Sequence, residues 1–240
     1  MLASLQGRRS LTARRTDEPC DHVRRSPAME QLHAVVGPLA TNVYVLADPR
    51  SREAIAIDTA IPCLEWISGA LAERDWTLKL IVSTHGHWDH TGANAAVQAH
   101  TGAPIAVHPD DAYRLISPAP LYAPFEIPPC VPAVELAEGG EVRFGDVRLR
   151  VLHTPGHTEG SVCLLSSETG ELFSGDTLFP GGWGRVDFPG GDPEAMVASI
   201  GRLATLEDRL RVLPGHGAAT TIGRERAWME LVRDSGRLPL

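Results

Sequence analysis

Residues 84–90 read Thr-His-Gly-His-Trp-Asp-His, so four potential metal ligands, His85, His87, Asp89 and His90, fall within six positions. They follow Leu78–Thr84, an apolar run of the fully buried strand kind. The C-terminal ends of such strands are where α/β architectures bind their ligands. On extended backbone His85 and His87 point the same way, and Gly86 between them lets the chain come close. Asp89 and His90 then open the next helix and turn toward a neighbouring position. That geometry suits two adjacent metal sites better than one. Three more candidates stand in similar settings: His157 in Thr154-Pro155-Gly156-His157, Asp176 after Ser174-Gly175, and His216 in Pro214-Gly215-His216-Gly217. Each comes just after a short apolar strand and next to Gly. His33, His100, His108 and His153 lack that setting and read as surface or core residues.

Imidazole and carboxylate with no thiolate suit Zn²⁺ and tolerate Fe or Mn. Two divalent metals ~3.5–4 Å apart can share a hydroxide and polarise a carbonyl. Metal binding lowers the pKa of water toward ~7, which makes a nucleophile available at neutral pH.

The elements that must position these residues alternate in type. Gln31–Val36, Asn42–Ala47 and Glu53–Asp58 read as strands, Cys63–Arg74 as a helix, and Leu78–Thr84 as a strand. His90–Thr101 reads as one Ala-rich helix, Pro104–His108 as a strand and Asp110–Ile116 as a short helix. Val142–Phe144, Val147–Leu152, Ser161–Ser166 and Glu171–Gly175 are strands again. Pro193–Leu206 is a helix, Arg211–Leu213 the last strand, and Gly223–Arg233 a final helix. Two similar halves predict two β-sheets packed face to face with helices outside, an α/β, four-layer αββα sandwich. Ser117–Pro132 carries six prolines and reads as a stiff loop.

A net charge of −8 argues against a basic nucleic-acid face. No run of 18 apolar residues predicts a membrane helix. The cysteines Cys20, Cys63, Cys130 and Cys163 form no CxxC pair, which points to a reducing cytoplasm. Residues 1–29 read as a disordered Arg-rich leader and residues 30–240 as one hydrolase domain. The oligomeric state is left open.

In order along the chain, His85, His87, Asp89, His90, His157, Asp176 and His216 resemble the motifs of the metallo-β-lactamase superfamily. Gly175-Asp176-Thr177-Leu178-Phe179, Gly184-Arg185-Val186-Asp187, Leu213-Pro214-Gly215-His216-Gly217 and Thr220-Thr221-Ile222-Gly223-Arg224-Glu225 are similar to its glyoxalase II-like (hydroxyacylglutathione hydrolase) branch. The short bacterial type fits best, since only 24 residues follow His216. The resemblance implies the αββα fold and two divalent metals. His85, His87 and His157 would hold one, Asp89, His90 and His216 the other, and Asp176 would bridge them. It further implies hydrolysis of a small-molecule thioester, of the S-lactoylglutathione type, by a metal-bridging hydroxide that Asp89 orients.

Class B1 β-lactamases place a Cys where Asp176 stands, which argues against that activity. An iron-dependent persulfide dioxygenase, with iron on two His and one Asp, and a lactonase on the same fold are the alternatives. A ribonuclease reading lacks a basic arm, and a binding module would not need all seven ligands. Arg185, Arg224 and Arg226 are candidate substrate-binding residues. Tyr122, Phe125 and Trp183 are candidate pocket walls, with the loops Ser117–Pro132 and Phe179–Phe188 flanking the site. Trp88 lies inside the ligand cluster.

Overall fold

A computed structural model describes residues 29–118 and 123–238. The Arg-rich leader through residue 28 and Tyr122 lie outside the described residues. Met29, the last residue assigned to that leader, packs against the core between the sheets.

Two six-stranded sheets form. The first contains β1 (Glu30–Val36), β2 (Thr41–Asp48), β3 (Glu53–Ile57), β4 (Thr77–Val82), β5 (Ile105–Val107) and β6 (Val134–Glu135), side by side in that order. β1 to β3 pair antiparallel and β3 to β6 parallel. The second holds β7 (Glu141–Phe144), β8 (Val147–His153), β9 (Val162–Ser166), β10 (Glu171–Gly175), β11 (Arg211–Pro214) and β12 (Thr220–Thr221), also in sequence order.

Alternation along the strands sorts the side chains into layers. On β2, Tyr44 and Leu46 face inward and join Ile55, Ile57, Phe144, Leu149, Leu164 and Phe173 between the sheets. Val43, Val45 and Ala47 face the other way and pack on α1 (Leu64–Arg74) and α3 (Asn94–Thr101) through Ile67, Leu71 and Val97. Beyond the second sheet, Leu172 and Val212 meet Met196 and Ile200 of α5 (Pro193–Leu203) and Met229 and Val232 of α6 (Ile222–Ser235). The result is the αββα order. Both faces of β2 are covered, so all eight of its residues are buried and its polar–apolar alternation is weak.

Phe173 is 1% exposed and meets Tyr44 edge-on at 5.2 Å. Phe173→Ala is expected to cost about 3–5 kcal/mol through lost burial and the cavity left behind. Denaturant unfolding checks this: a lower midpoint at unchanged slope is the expected result.

The structure corrects several boundaries. The helix expected over His90–Thr101 is two, α2 (Trp88–Thr91) and α3, broken at Gly92-Ala93. The Ala93 N–H leaves the helix to bond the Thr59 carbonyl at 2.9 Å, and a Cβ on Gly92 would lie 2.9 Å from Ile61 Cδ1. The strand expected to reach Thr84 stops at Val82, because Thr84 N–H bonds the Asp58 side chain. The two-residue strands β6 and β12 have no periodicity to read, so Arg211–Leu213 is not the last strand. Asp110 belongs to a 3₁₀ turn, Pro109–Asp111, that precedes α4 (Ala112–Ile116).

Candidate metal centre

The seven residues converge at the ends of β4, β8, β10 and β11. Ligand-type atoms of His85, His87 and His157 lie within 4.8 Å of one another, as do those of Asp89, His90 and His216, and those of His85, His90 and Asp176. Asp176 stands between the groups. Its Oδ1 is 3.4 Å from His90 Nε2, and its Oδ2 is 3.5 Å from Nε2 of both His157 and His216.

Acceptors behind the rings set which nitrogen faces inward. His157 Nδ1 donates to the Arg185 carbonyl at 2.7 Å, and His216 Nδ1 to the Leu39 carbonyl at 3.0 Å. His90 Nδ1 donates to Asp58 Oδ2 at 3.0 Å. Such outer partners fix tautomer and orientation. In neutral rings the inward Nε2 atoms then carry lone pairs. Nε2 of His90 and His216 face each other at 3.1 Å, and His87 Nδ1 faces His157 Nε2 at 2.8 Å. Two ring nitrogens at those separations repel unless a proton or a cation lies between them. Thr84 Oγ1 donates to Asp58 and so accepts from His85 Nδ1, which leaves His85 Nε2 buried with no hydrogen-bond partner. Asp176 Oδ1 is buried and without such a partner too. Orphaned buried polar atoms are rare in proteins. Here they fit divalent cations and an imidazole–carboxylate donor set.

The electrostatics agree. Burial, then the neighbouring histidines, holds His85 well below the usual imidazole range, and burial with His157 brings His87 down to about 3. Both rings are therefore neutral at pH 7, as metal binding requires. Burial opposes a charge on His90, but Asp176, Asp89 and Asp58 outweigh it and hold its pKa up. Positive charge is favoured at that point. Burial likewise opposes ionisation of Asp176, and His90, His157 and His216 overcome it.

Local structure places these side chains. Asp58, in the left-handed region at φ 58°, follows β3 and binds both Thr84 N–H at 2.7 Å and Thr84 Oγ1 at 2.8 Å. That pins the start of the His85–His90 turn. Asn42 and Tyr44 of β2 donate to the Pro214 carbonyl, and Asn42 also to that of Gly217, which locks the His216 turn. Gly184 N–H bonds the Asp176 carbonyl at 2.9 Å, and a Cβ there would lie 2.1 Å from that oxygen.

A cavity of about 760 Å³ opens over the cluster, walled by Trp88, Ile127, Phe179, Trp183 and Phe188. Trp183 and Arg185 line it. Arg185 forks onto Asp187 at 2.6 and 2.8 Å and stacks on Phe188 at 4.1 Å. Phe125 stands behind the wall, its ring edge-on to Trp88 at 5.6 Å. The other two arginines lie elsewhere. Arg224 is exposed in the first turn of α6 and does not line the cavity. Arg226 binds Asp208 and the carbonyls of Ala204 and Leu206, and so fastens α6 to the chain after α5. Asp58, Asp111 and Arg114 are neighbours of the site with no readable motif, and Glu225 belongs to the Thr220–Glu225 run. Glu225 accepts from Gly181 N–H and Trp228 Nε1, each at 2.7 Å, and from Thr220 Oγ1. That explains the Thr220–Glu225 run: it ties the loop carrying Trp183 to α6. Trp183 also packs on Trp228, at 5.7 Å.

Trp183→Ala is expected to raise KM about tenfold for bulky substrates, roughly 1.4 kcal/mol of lost contact, and less for small ones. KM measured over a series of substrates of graded size checks it; an equal change for all of them would assign Trp183 to packing alone.

Two sheets sandwiched between helices, with a His/Asp cluster at the strand ends, define a metal-dependent hydrolase of the metallo-β-lactamase type. The sequence profile of the metallo-β-lactamase superfamily matches residues 36–216, and the chain belongs to that superfamily. Among its relatives, an "uncharacterized protein" of Aquifex aeolicus is 39% identical over 199 residues, 80% of this chain and 92% of its own. "Hydroxyacylglutathione hydrolase GloC" of Haemophilus influenzae is 36% identical over 162 residues, 65% of this chain and 76% of its own. The crystal structure of BLEG-1 B3 metallo-β-lactamase superposes with a TM-score of 0.77 at 33% identity, covering 85% of this chain and 99% of its own. TTHA1623 in a di-iron-bound form gives 0.69 at 34% identity, covering 81% and 96%.

Proposed function

We propose that this protein is a dinuclear metal-dependent hydrolase of small thioesters, of the S-acylglutathione type. The observation that carries the reading is the convergence of ring nitrogens and carboxylates on two adjacent points beneath a 760 Å³ cavity. The likeness to the Haemophilus hydroxyacylglutathione hydrolase supports the thioester class.

Bound there, two divalent cations, of which Zn²⁺ suits the donor set and iron is compatible, supply an activated water and draw charge from a substrate carbonyl. His85, His87 and His157 would hold one and Asp89, His90 and His216 the other, with Asp176 between them. Asp89 Oδ2, 3.2 Å from His216 Nε2, faces the cavity and orients the attacking water and takes its proton. Trp88, Trp183 and Phe188 cover the acyl group and exclude bulk water. Arg185 stands at the rim, where the thiol part of the substrate leaves the cavity. A thiolate departs without a proton, so no strong general acid is needed.

The reading places the protein in the cytoplasm, acting on a small molecule, with no nucleic-acid or membrane partner. Buried, unpaired Cys63, Cys130 and Cys163 are compatible with a reducing compartment, and burial pushes the Cys63 thiol up to about 12. No helix among the described residues is long and apolar enough to cross a membrane.

The likeness to BLEG-1 favours β-lactam hydrolysis as a second reading. One experiment separates the readings. Thiol release from S-lactoylglutathione, ring opening of a β-lactam and of a lactone, and oxygen uptake on glutathione persulfide are followed with and without chelator. Chelator-sensitive thiol release at a kcat/KM of ~10⁴–10⁸ M⁻¹s⁻¹ is expected. Turnover of a lactam or lactone alone would keep the centre and sink the thioester. Oxygen uptake with one iron per chain would replace both with a dioxygenase.

A further inference from the structure

Asp111 is outside the ligand set, is fully buried, and joins two ligand-bearing turns. Its Oδ2 accepts from Gly86 N–H at 2.6 Å and from Thr158 Oγ1 at 2.7 Å. Its Oδ1 accepts from Gly160 N–H at 3.0 Å. Gly86 lies between His85 and His87, while Thr158 and Gly160 follow His157. The first turn leaves β4 of one sheet and the second joins β8 to β9 of the other; one backbone hydrogen bond, Val162 N–H to the Thr84 carbonyl at 2.8 Å, spans their outer ends, and Asp111 joins them nearer the histidines. The contact has no slack. A Cβ on Gly160 would lie 2.8 Å from Asp111 Cβ, and one on Gly86 would lie 2.7 Å from Arg114 Cδ. Arg114 braces the joint, with Nε 3.4 Å from Asp111 Oδ1 and its other end on Glu159 at 2.7 Å and the Pro189 carbonyl at 2.8 Å. The hydrogen bonds of Asp111 reach the turns of His85, His87 and His157. His90 leans instead on Asp58, and His216 on Leu39 and Asn42's clamp of its turn.

We propose that Asp111 is a positioning residue that sets His85, His87 and His157 relative to one another, so that its loss weakens one metal site of the pair and spares the other. The inference rests on the dinuclear reading above. Both carboxylate oxygens receive a backbone N–H. In Asp111→Asn one of those donors must face an NH₂ group, so the substitution keeps the volume and breaks the joint.

The test is a titration of Zn²⁺ against a chromophoric chelator on the purified full chain. The wild type is expected to hold two metals. Asp111→Asn is expected to keep one at unchanged affinity and to bind the second ~10–100-fold more weakly, the usual cost of an outer partner. Combined with His216→Ala, which cripples the other site, it should abolish tight binding. Combined with His87→Ala it should add little, because both changes strike the same site. Unchanged affinity for both metals in Asp111→Asn, or equal losses in the two double variants, would overturn the proposal while leaving the dinuclear reading intact. A wild type that binds no second metal would overturn both. Should Asp111→Asn not fold, Thr158→Val removes one donor and is expected to weaken the same single site a few-fold with an unchanged circular dichroism spectrum; two unaltered affinities there would refute it equally.

Discussion

Asp176→Ala is expected to lower both metal content and turnover by more than ~100-fold, beyond the 10–100-fold typical of a residue that supports a ligand from behind. The carboxylate lies within 3.5 Å of histidines from both halves of the cluster, His90 on one side and His157 on the other. Removing it takes negative charge from a point where four or more imidazoles crowd together, so neither cation keeps its full neutralisation. The stability effect should depend on loading. Asp176 is paired with His90, His157 and His216 in the metal-free protein, so the metal-free variant should already be less stable than the metal-free wild type. The loaded wild type should melt well above the loaded variant, since a ligand that binds only the native state adds its binding free energy to stability. Metal analysis, thiol release and thermal melts with and without chelator check the three parts. A variant that retains two metals and loses only activity would assign Asp176 to the chemistry rather than to holding the centre.

Asp58→Ala is the second large effect expected. Asp58 is 1% exposed, holds Thr84 through two hydrogen bonds and orients His90 through a third. The substitution leaves the Thr84 N–H buried without an acceptor, which costs about 1–3 kcal/mol. It also frees the His90 ring to turn, which should weaken metal binding by ~10–100-fold. Part of the damage comes from the backbone: at φ 58° Ala is strained, whereas Asn tolerates that region. Asp58→Asn should therefore recover stability but not affinity, because its amide offers one acceptor oxygen where the carboxylate serves three donors. Chemical unfolding and metal competition on the two variants separate the contributions. Equal affinity in Asp58→Asn and wild type would show that Asp58 only shapes the chain.

Much of the His/Asp cluster was legible because His85, His157, Asp176 and His216 each come after a short apolar strand and beside a glycine, and ligands gather at strand ends. His85 to His90 share one turn, so their proximity is a local property. The partition is different. That His157 joins His85 and His87, while His216 joins Asp89 and His90, depends on how two sheets pack, and the resemblance supplied it. Asp58 and Asp111 escaped notice because a single Asp between strands is indistinguishable from a surface turn. Their importance arises from donors 26 and 25 residues away, Thr84 and Gly86. Arg224 and Arg226 show the converse. Their charge and motif position suggested substrate contact, yet the helical phase of α6 turns Arg224 to solvent and Arg226 toward Asp208.

Residue types and local periodicity by themselves determined the donor chemistry, the strand–helix order and the layers, because these depend on neighbours within a few positions along the chain. Tertiary structure alone decided which nitrogen of each histidine faces the centre, which carboxylates hold the ligands from behind, and where the helix after His90 breaks. Those are settled by acceptors and close contacts that distant segments bring in: the Arg185 and Leu39 carbonyls behind His157 and His216, and the Thr59 carbonyl that takes the Ala93 N–H.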